Sequence, residues 1–416
     1  MKKKGLLLAF VVSLAGHAWS QQHLSLEEAI SASVDNNPSV KLSALDVQIA
    51  KAKFRQTDAM HLPNANFSYT AFTTNNPVIS FAADKLNPPA ATNGFSVNFE
   101  VHQPLINPDA IYQRKAAATT IEMDQFIEKR TKERLAFETK KAYLYLQVAY
   151  EDNKVLTEAL SASKAVYKTS KDYFDQGLIQ KSELLNAELH SLNIETQLRS
   201  SQSAIKDASD MLSILMGRST GTVYTTDPIA ITDTDNSDLP GDRPDFKALQ
   251  KAMQSYDMMI KSSKMSYLPK LNAFATFNAM DKNPFGFNAN TYFAGIQLSW
   301  NIFNGNRTRN IISQQQLEKQ KLNKQLQQQK SEAQLQVQQA RRQLYDASFA
   351  MHQQRLAVEQ ASEALRVLQN RYTQGLAKPA DVLSAQTQLS QQKLGYAHAV
   401  FNYNLAATSL QFLTSK

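Results

Sequence analysis

Few residues in this chain have the type and spacing to do chemistry. The 416 residues include no Cys, which excludes thiolate zinc sites, iron–sulfur clusters, cysteine nucleophiles, disulfide scaffolds and a lipid anchor carried by an N-terminal Cys. The seven His stand singly, with no HExxH pair to bind a metal. No GxSxG elbow, Walker loop, dinucleotide fingerprint or pair of catalytic carboxylates occurs, so neither an enzyme nor a cofactor is expected. Asp233-x-Asp235-x-Ser237 has the start of a calcium-loop spacing but lacks its Gly and distal Glu, and reads as a solvated linker. What remains is a matched pair of acids: Glu183 stands six residues after Gly177, and Asp381 six residues after Gly375. Carboxylates repeated around a mouth favour cations and hold divalent ions that obstruct it. The same acids have a plainer reading. Each falls in the first turn of a helix, where the dipole favours an acid by roughly 0.3–1 kcal/mol, and Pro379 suits a first helical position.

The elements that place these acids are long helices. Two windows, Asp109–Gln176 and Asn306–Gln374, contain neither Gly nor Pro. Each can be one unbroken helix, reaching roughly 100 Å at 1.5 Å per residue. Both carry a 4-3-4 apolar rhythm, as in Val148, Val155, Ala159, Ala162 and Val166, or Ala361, Leu365, Leu368 and Tyr372, which is a coiled-coil seam. The Gln-rich run 314–343 is interleaved with Leu, Ala, Lys and Glu and reads as helix rather than as a prion-like tract. Gly177 and Gly375 stand where a helix end needs a left-handed residue. Leu178 and Leu376 follow them at the turn tips, and the return helices end near Met216 and Leu413.

The chain is duplicated. Asn37-Pro38-Ser39-Val40-Lys41 aligns with Arg243-Pro244-Asp245-Phe246-Lys247, and Leu62-Pro63 with Leu268-Pro269. The turn Phe174-x-Gln176-Gly177-Leu178 aligns with Tyr372-x-Gln374-Gly375-Leu376. The expected organisation is a signal peptide over 1–20, a first repeat over 21–219, a linker over 220–242 and a second repeat over 243–416. The first repeat comprises a helix from about Ser25 to Met60, a β-hairpin over 64–105, a long helix over 108–176 and a return helix over 180–216. The second comprises a helix from about Asp245 to Tyr267, a β-hairpin over 270–303, a long helix over 305–374 and a return helix over 379–413. Lys2–Lys4, the apolar run Leu6–Leu14 and Ala18-Trp19-Ser20 have the order of a secretory leader. Loss of those three Lys leaves 42 basic residues against 37 acidic ones, spread along helices and unclustered with aromatics, so nucleic acid is not an expected partner.

The hairpins alternate with period two. Phe67, Tyr69 and Ala71 alternate with Asn66, Ser68 and Thr70, and Tyr292, Ala294, Ile296, Leu298 and Trp300 alternate with Phe293, Gly295, Gln297 and Ser299. One apolar face, one largely polar face and aromatics near the ends are the pattern of membrane strands. Phe67, Tyr69, Phe72, Tyr292 and Trp300 are the expected interfacial aromatics. Four strands do not close a barrel, and an open edge in lipid leaves unpaired backbone groups costing about several kcal/mol each. Three copies supply twelve strands, an even number in the range of known barrels. A soluble four-stranded sheet capped by helices is the plain alternative, and it leaves the length of the helices unexplained.

The duplicated unit, the Leu-Pro before each first strand, the hairpin leading into a very long helix, and the two Gln-Gly-Leu turns with an acid six residues on together resemble the TolC-type outer-membrane efflux proteins, across the whole chain from Gln21. The resemblance implies a mainly α protein with a small β part: a homotrimer whose twelve-stranded outer-membrane β-barrel is continued by a twelve-helix periplasmic coiled-coil α-barrel. It implies a passive conduit for drugs, small molecules or proteins, in an efflux pump or a type I secretion system. Partners would be a periplasmic adaptor protein, an inner-membrane transporter of RND, ABC or MFS type, and outer-membrane lipid. The adaptor would meet the turns at Gly177, Leu178, Gly375 and Leu376. A periplasmic gate would correspond to Glu183, Tyr372 and Asp381. Ser384 replaces a second acid of that pattern and Ala377 a gating Arg, with Lys378 beside it as the substitute base. A trimeric surface adhesin also builds a barrel from four strands per chain, but its strands lie together at the C-terminus, whereas both hairpins here are internal. A periplasmic adaptor would carry one helical hairpin flanked by β modules, which the duplication opposes.

Overall fold

The computed structural model describes residues 22–74, 92–232, 238–281, 283–287 and 289–415. The leader, the Asp233-x-Asp235-x-Ser237 stretch and Lys416 lie outside them. In chain order the elements begin with β1 (Gln22–His23), α1 (Leu26–Asn36), α2 (Pro38–Asp58), β2 (Asn64–Thr74), β3 (Thr92–Ile106), α3 (Pro108–Asp175) and α4 (Lys181–Leu215). They continue with β4 (Tyr224–Thr225), α5 (Pro244–Met265), β5 (Lys270–Asp281), β6 (Ala289–Ser299), α6 (Arg307–Thr373) and α7 (Pro379–Leu413). Helix predominates over strand, and the order helix, hairpin, long helix, return helix occurs twice. No helix among the described residues is long and apolar enough to cross a membrane.

The chain divides into two compact units. One holds the four-stranded sheet and takes residues Leu42–Thr131 and Pro240–Ala333; the other takes residues up to Lys41, Lys132–Leu239 and Gln334–Ser415.

In the first of these, the strands run in the order β2-β3-β5-β6, antiparallel throughout. Register aligns the alternation of every strand. Phe67, Phe99, Phe277 and Tyr292 form one row across all four strands on the apolar face, beside Tyr69, Val97, Val101, Ala275, Ile296 and Leu298. β3 is an interior strand containing Pro104, which has no N–H for the ladder. The register accordingly slips between Pro104 and Ile106, leaving Leu105 as a bulge. Two expected aromatics are placed differently. Trp300 lies one residue past β6, and its Nε1 donates to the Tyr267 carbonyl at 2.9 Å. Phe72 falls on the polar face, its ring covering Gly94, because it alternates with Tyr69 and Ala71. Against α3, α5 presents small hydroxyls: Ser255 Oγ donates to the Ala116 carbonyl at 3.1 Å and Ser262 Oγ to that of Asp109 at 2.9 Å. Arg243, at the N-cap of α5, is buried and holds Asp245 through two bonds of 2.7 Å.

In the second unit, the single helix expected from Ser25 to Met60 is two. Asn37 adopts an extended conformation, its Oδ1 accepts from Ser39 N at 2.9 Å, and its Nδ2 donates to the Leu215 carbonyl at 2.8 Å. The following Pro38 disfavours a helical Asn37, which forces the break. Ser25 and Glu28 form a capping box at the start of α1. Gly217 ends α4 at φ +67 with no room for a side chain, since a Cβ there would lie 2.9 Å from the Asn36 carbonyl oxygen. The stretch expected as a linker is stitched down: β4 pairs in parallel with β1 and Tyr224 is buried. Asn404, fully buried in α7, holds the Ala230 carbonyl at 2.7 Å and the Thr232 amide at 2.9 Å. Tyr143 hydroxyl donates to the Leu24 carbonyl at 3.0 Å, tying the segment before α1 to the core formed by Leu146, Leu212, Met216 and Tyr224.

Candidate functional site

Both matched turns lie in the second unit. α3 ends in a Schellman motif: Gly177 N–H donates to the Phe174 carbonyl at 2.9 Å and Leu178 N–H to that of Tyr173 at 2.8 Å. α6 ends the same way, Gly375 to Tyr372 at 3.0 Å and Leu376 to Arg371 at 2.8 Å. Both glycines have φ +74 and neither has an atom near the place of a Cβ, so backbone conformation alone demands them. Leu178 and Leu376 are about two-thirds exposed, at 66% and 69%.

The helices restart differently. Lys378 is extended at the N-cap of α7, Pro379 takes the first helical position, and Asp381 Oδ2 accepts from the Lys378 amide at 3.1 Å. A Lys side chain has no acceptor, so only this half of a capping box exists. Gln180, at the N-cap of α4, makes no side-chain cap bond; Glu183 is half-buried, its backbone amide donates to the Gln180 carbonyl at 3.0 Å, and its carboxylate has no hydrogen-bond partner among the described residues.

Beneath the turns lies a core of Val166, Ala187, Leu365, Tyr372, Val382 and Leu383. Tyr372 is turned into it, its ring 6.0 Å from that of Tyr173 at 58°. Burial, with Tyr173 adding, raises the Tyr372 phenol above its ordinary pKa. Neither the Tyr372 hydroxyl nor Ser170 Oγ reaches a hydrogen-bond partner among the described residues. The chain therefore brings Tyr372 to the core while leaving Lys378, Asp381 and Ser384 exposed. Among the described residues no hydrogen bond or ion pair links Glu183 with Tyr372, Lys378 or Asp381, and no cluster of three metal-ligating side chains occurs.

Several polar contacts between helices have no motif in the sequence. Ser163 Oγ and Ser191 Oγ are buried 2.7 Å apart between α3 and α4. Asp152 meets His398 at 3.2 Å and Glu158 meets Lys393 at 2.8 Å between α3 and α7. Burial raises the Asp152 carboxyl, opposed by His398. His190 Nε2 lies 3.5 Å from Thr387 Oγ1 between α4 and α7, and burial lowers its pKa. Small residues at seam positions, Ser163 and Ser191, were the available signal, because they permit close helix approach.

The family model described as outer membrane efflux protein matches residues 29–218 and 237–415, both repeats of the element order. The chain belongs to the outer membrane efflux protein family. Family members are outer-membrane efflux channels rather than enzymes. No curated protein sequence matches the chain. Solved structures with the same fold include the outer membrane protein VceC of Vibrio cholerae, at 16% identity over 94% of this chain and 95% of that one, with a TM-score of 0.79. The Campylobacter jejuni CmeC outer membrane channel matches at 14% identity over 100% and 93%, also at 0.79. The open state of the Neisseria gonorrhoeae MtrE outer membrane channel matches at 15% identity over 94% and 88%, at 0.72.

Proposed function

We propose that this outer membrane efflux protein is the channel-tunnel of a tripartite efflux pump or type I secretion system, a passive duct for drugs, small molecules or proteins. The observation that carries the reading is the four-stranded sheet. Its apolar face is exposed, Tyr292 at 87% and Ile296 at 68%, and its outer strands β2 and β6 each have one unpaired edge. Lipid on that face and copies of the chain on those edges satisfy both. Three copies make a homotrimer with twelve strands, and the two long and two return helices of each copy supply four staves to a twelve-helix periplasmic tube. A periplasmic adaptor docks at the tips around Leu178 and Leu376, and an inner-membrane transporter of RND, ABC or MFS type supplies the energy and selects the cargo.

The turns form the periplasmic mouth in this reading, with Glu183 and Asp381 supplying carboxylates to it and Lys378 the opposing charge beside Ser384. The Tyr372 ring anchors the second turn to the core. The test is fractionation with a heat-modifiable trimer assay, followed by planar-bilayer recording. An outer-membrane trimer that conducts, and whose cation selectivity and divalent block weaken in Asp381→Asn, supports the proposal. A soluble monomer overturns the channel, and unchanged selectivity overturns the role of Asp381.

A further inference from the structure

The polar face of the sheet carries a feature that alternation does not explain. Register sets Asn66, Glu100, Thr276 and Phe293 side by side in one row across the four strands, and Asn64, His102, Phe274 and Gly295 in the next. Among the described strand residues Glu100 is the one acid on this face. Its Oε1 lies 2.6 Å from His102 Nε2, and its Oε2 has no hydrogen-bond partner among the described residues. Phe274 has a packing role, because its ring covers Gly295 at 3.4 Å from the place of a Cβ. Phe293 has none of that kind. It is 67% exposed on a face otherwise made largely of Asn, Ser, Thr and Gln, with its ring 5.2 Å from that of Phe274 at 51°.

Between Glu100 and Phe293 stands only Thr276, so the two larger side chains flank a shallow cleft two strand spacings wide, roughly 9–10 Å. A carboxylate on one wall and a tilted aromatic pair on the other is the chemistry that holds a cation bearing an apolar arm. The charge meets Glu100, the arm lies on Thr276, and the rings take the remaining face by dispersion and cation–π attraction. A neutral solute gains only the rings, and an anion meets the carboxylate.

We propose that Glu100, Thr276 and Phe293, backed by Phe274, form a wall subsite for a monovalent organic cation with an aromatic or alkyl arm. The proposal rests on the channel reading, in which the polar face lines the bore. Three copies place three such clefts around it.

The experiment uses the full chain in planar bilayers, with benzyltrimethylammonium as the probe and benzyl alcohol as the neutral control. Single-channel KCl current is read as the probe is raised on the side of the barrel. The wild-type channel is expected to be blocked by the cation and not by the alcohol. Glu100→Gln and Phe293→Ala each raise the half-blocking concentration by roughly threefold or more, the scale of one exposed cation–π or ion-pair contact, each read relative to that variant's own KCl current without probe. Block unchanged in both variants, in channels that still carry KCl current, overturns the cleft and leaves the channel reading standing. A wild-type chain that forms no channel overturns both.

Discussion

The two turns close their helices by the same backbone device and open the next helices by different ones. Both glycines sit at φ +74 with the same pair of amide-to-carbonyl bonds. Beyond the glycine, Asp381 is committed to the Lys378 amide, whereas the Glu183 carboxylate is uncommitted within its own helix. Before the glycine, Tyr372 is buried where its counterpart Phe174 is only half-buried. A backbone requirement has been kept in both copies, while the side chains around it have separated into an anchored turn and a freer one.

The largest effect expected to test this contrast is in the core. Tyr372→Ala should cost about 3 kcal/mol, and Phe174→Ala about 1 kcal/mol in proportion to its lesser burial, read as local opening by hydrogen exchange in the full-length protein; equal costs would erase the distinction between anchored and free turns. Next come the glycines. Gly177→Ala and Gly375→Ala should each cost about 1–2 kcal/mol for a left-handed residue with a Cβ, and equally, because neither site has a steric neighbour; unequal unfolding midpoints would show that the backbone equivalence is superficial. Asp381→Ala should lose about 0.5–1 kcal/mol of helix start, and Glu183→Ala about 0.3 kcal/mol from the dipole alone, compared by exchange rates in the first turns of α7 and α4. Smallest is a pH effect confined to the first return helix, which has His190 where α7 has Gln388. Burial holds His190 below 6.5, so the unfolded chain binds a proton that the folded seam does not. Its contribution is complete above about pH 6.5 and is lost as pH falls below that value. His190→Gln should flatten the thermal-stability profile of the α4 seam over that window, and an unchanged slope would remove His190 as its source.

The long helices were legible because two windows lack Gly and Pro, and the sheet faces because Phe67, Phe99, Phe277 and Tyr292 alternate with polar neighbours. Both are local signals. The break at Asn37 was equally local, since Pro38 restricts the residue before it, but the apolar periodicity on either side concealed it. The pairing of β3 with β5 depends on contacts between residues far apart in sequence, and no period reports it. The same holds for the β1–β4 ladder, two residues a side, and for Asn404 reaching the Ala230 carbonyl. At the candidate site, the positions of Gly177, Glu183, Gly375 and Asp381 followed from the aligned turns. The inward turn of Tyr372 did not, because an aromatic residue three before a glycine has the same local pattern whether it faces a partner or a core.

The order β2-β3-β5-β6 also constrains how copies can assemble. The outer edges of the sheet are different strands, so a ring requires β6 of one copy against β2 of the next, a head-to-tail contact repeated by rotation rather than a two-fold self-pairing. Four is an even number, so those two strands meet antiparallel and the ladder continues in phase around the ring. Every open intermediate, whatever its size, retains one bare β2 and one bare β6, and only the final joint removes both together. Edge pairing thus withholds its last reward until closure, which makes the complete ring cooperative and leaves partial rings with the same exposed edges as a single chain.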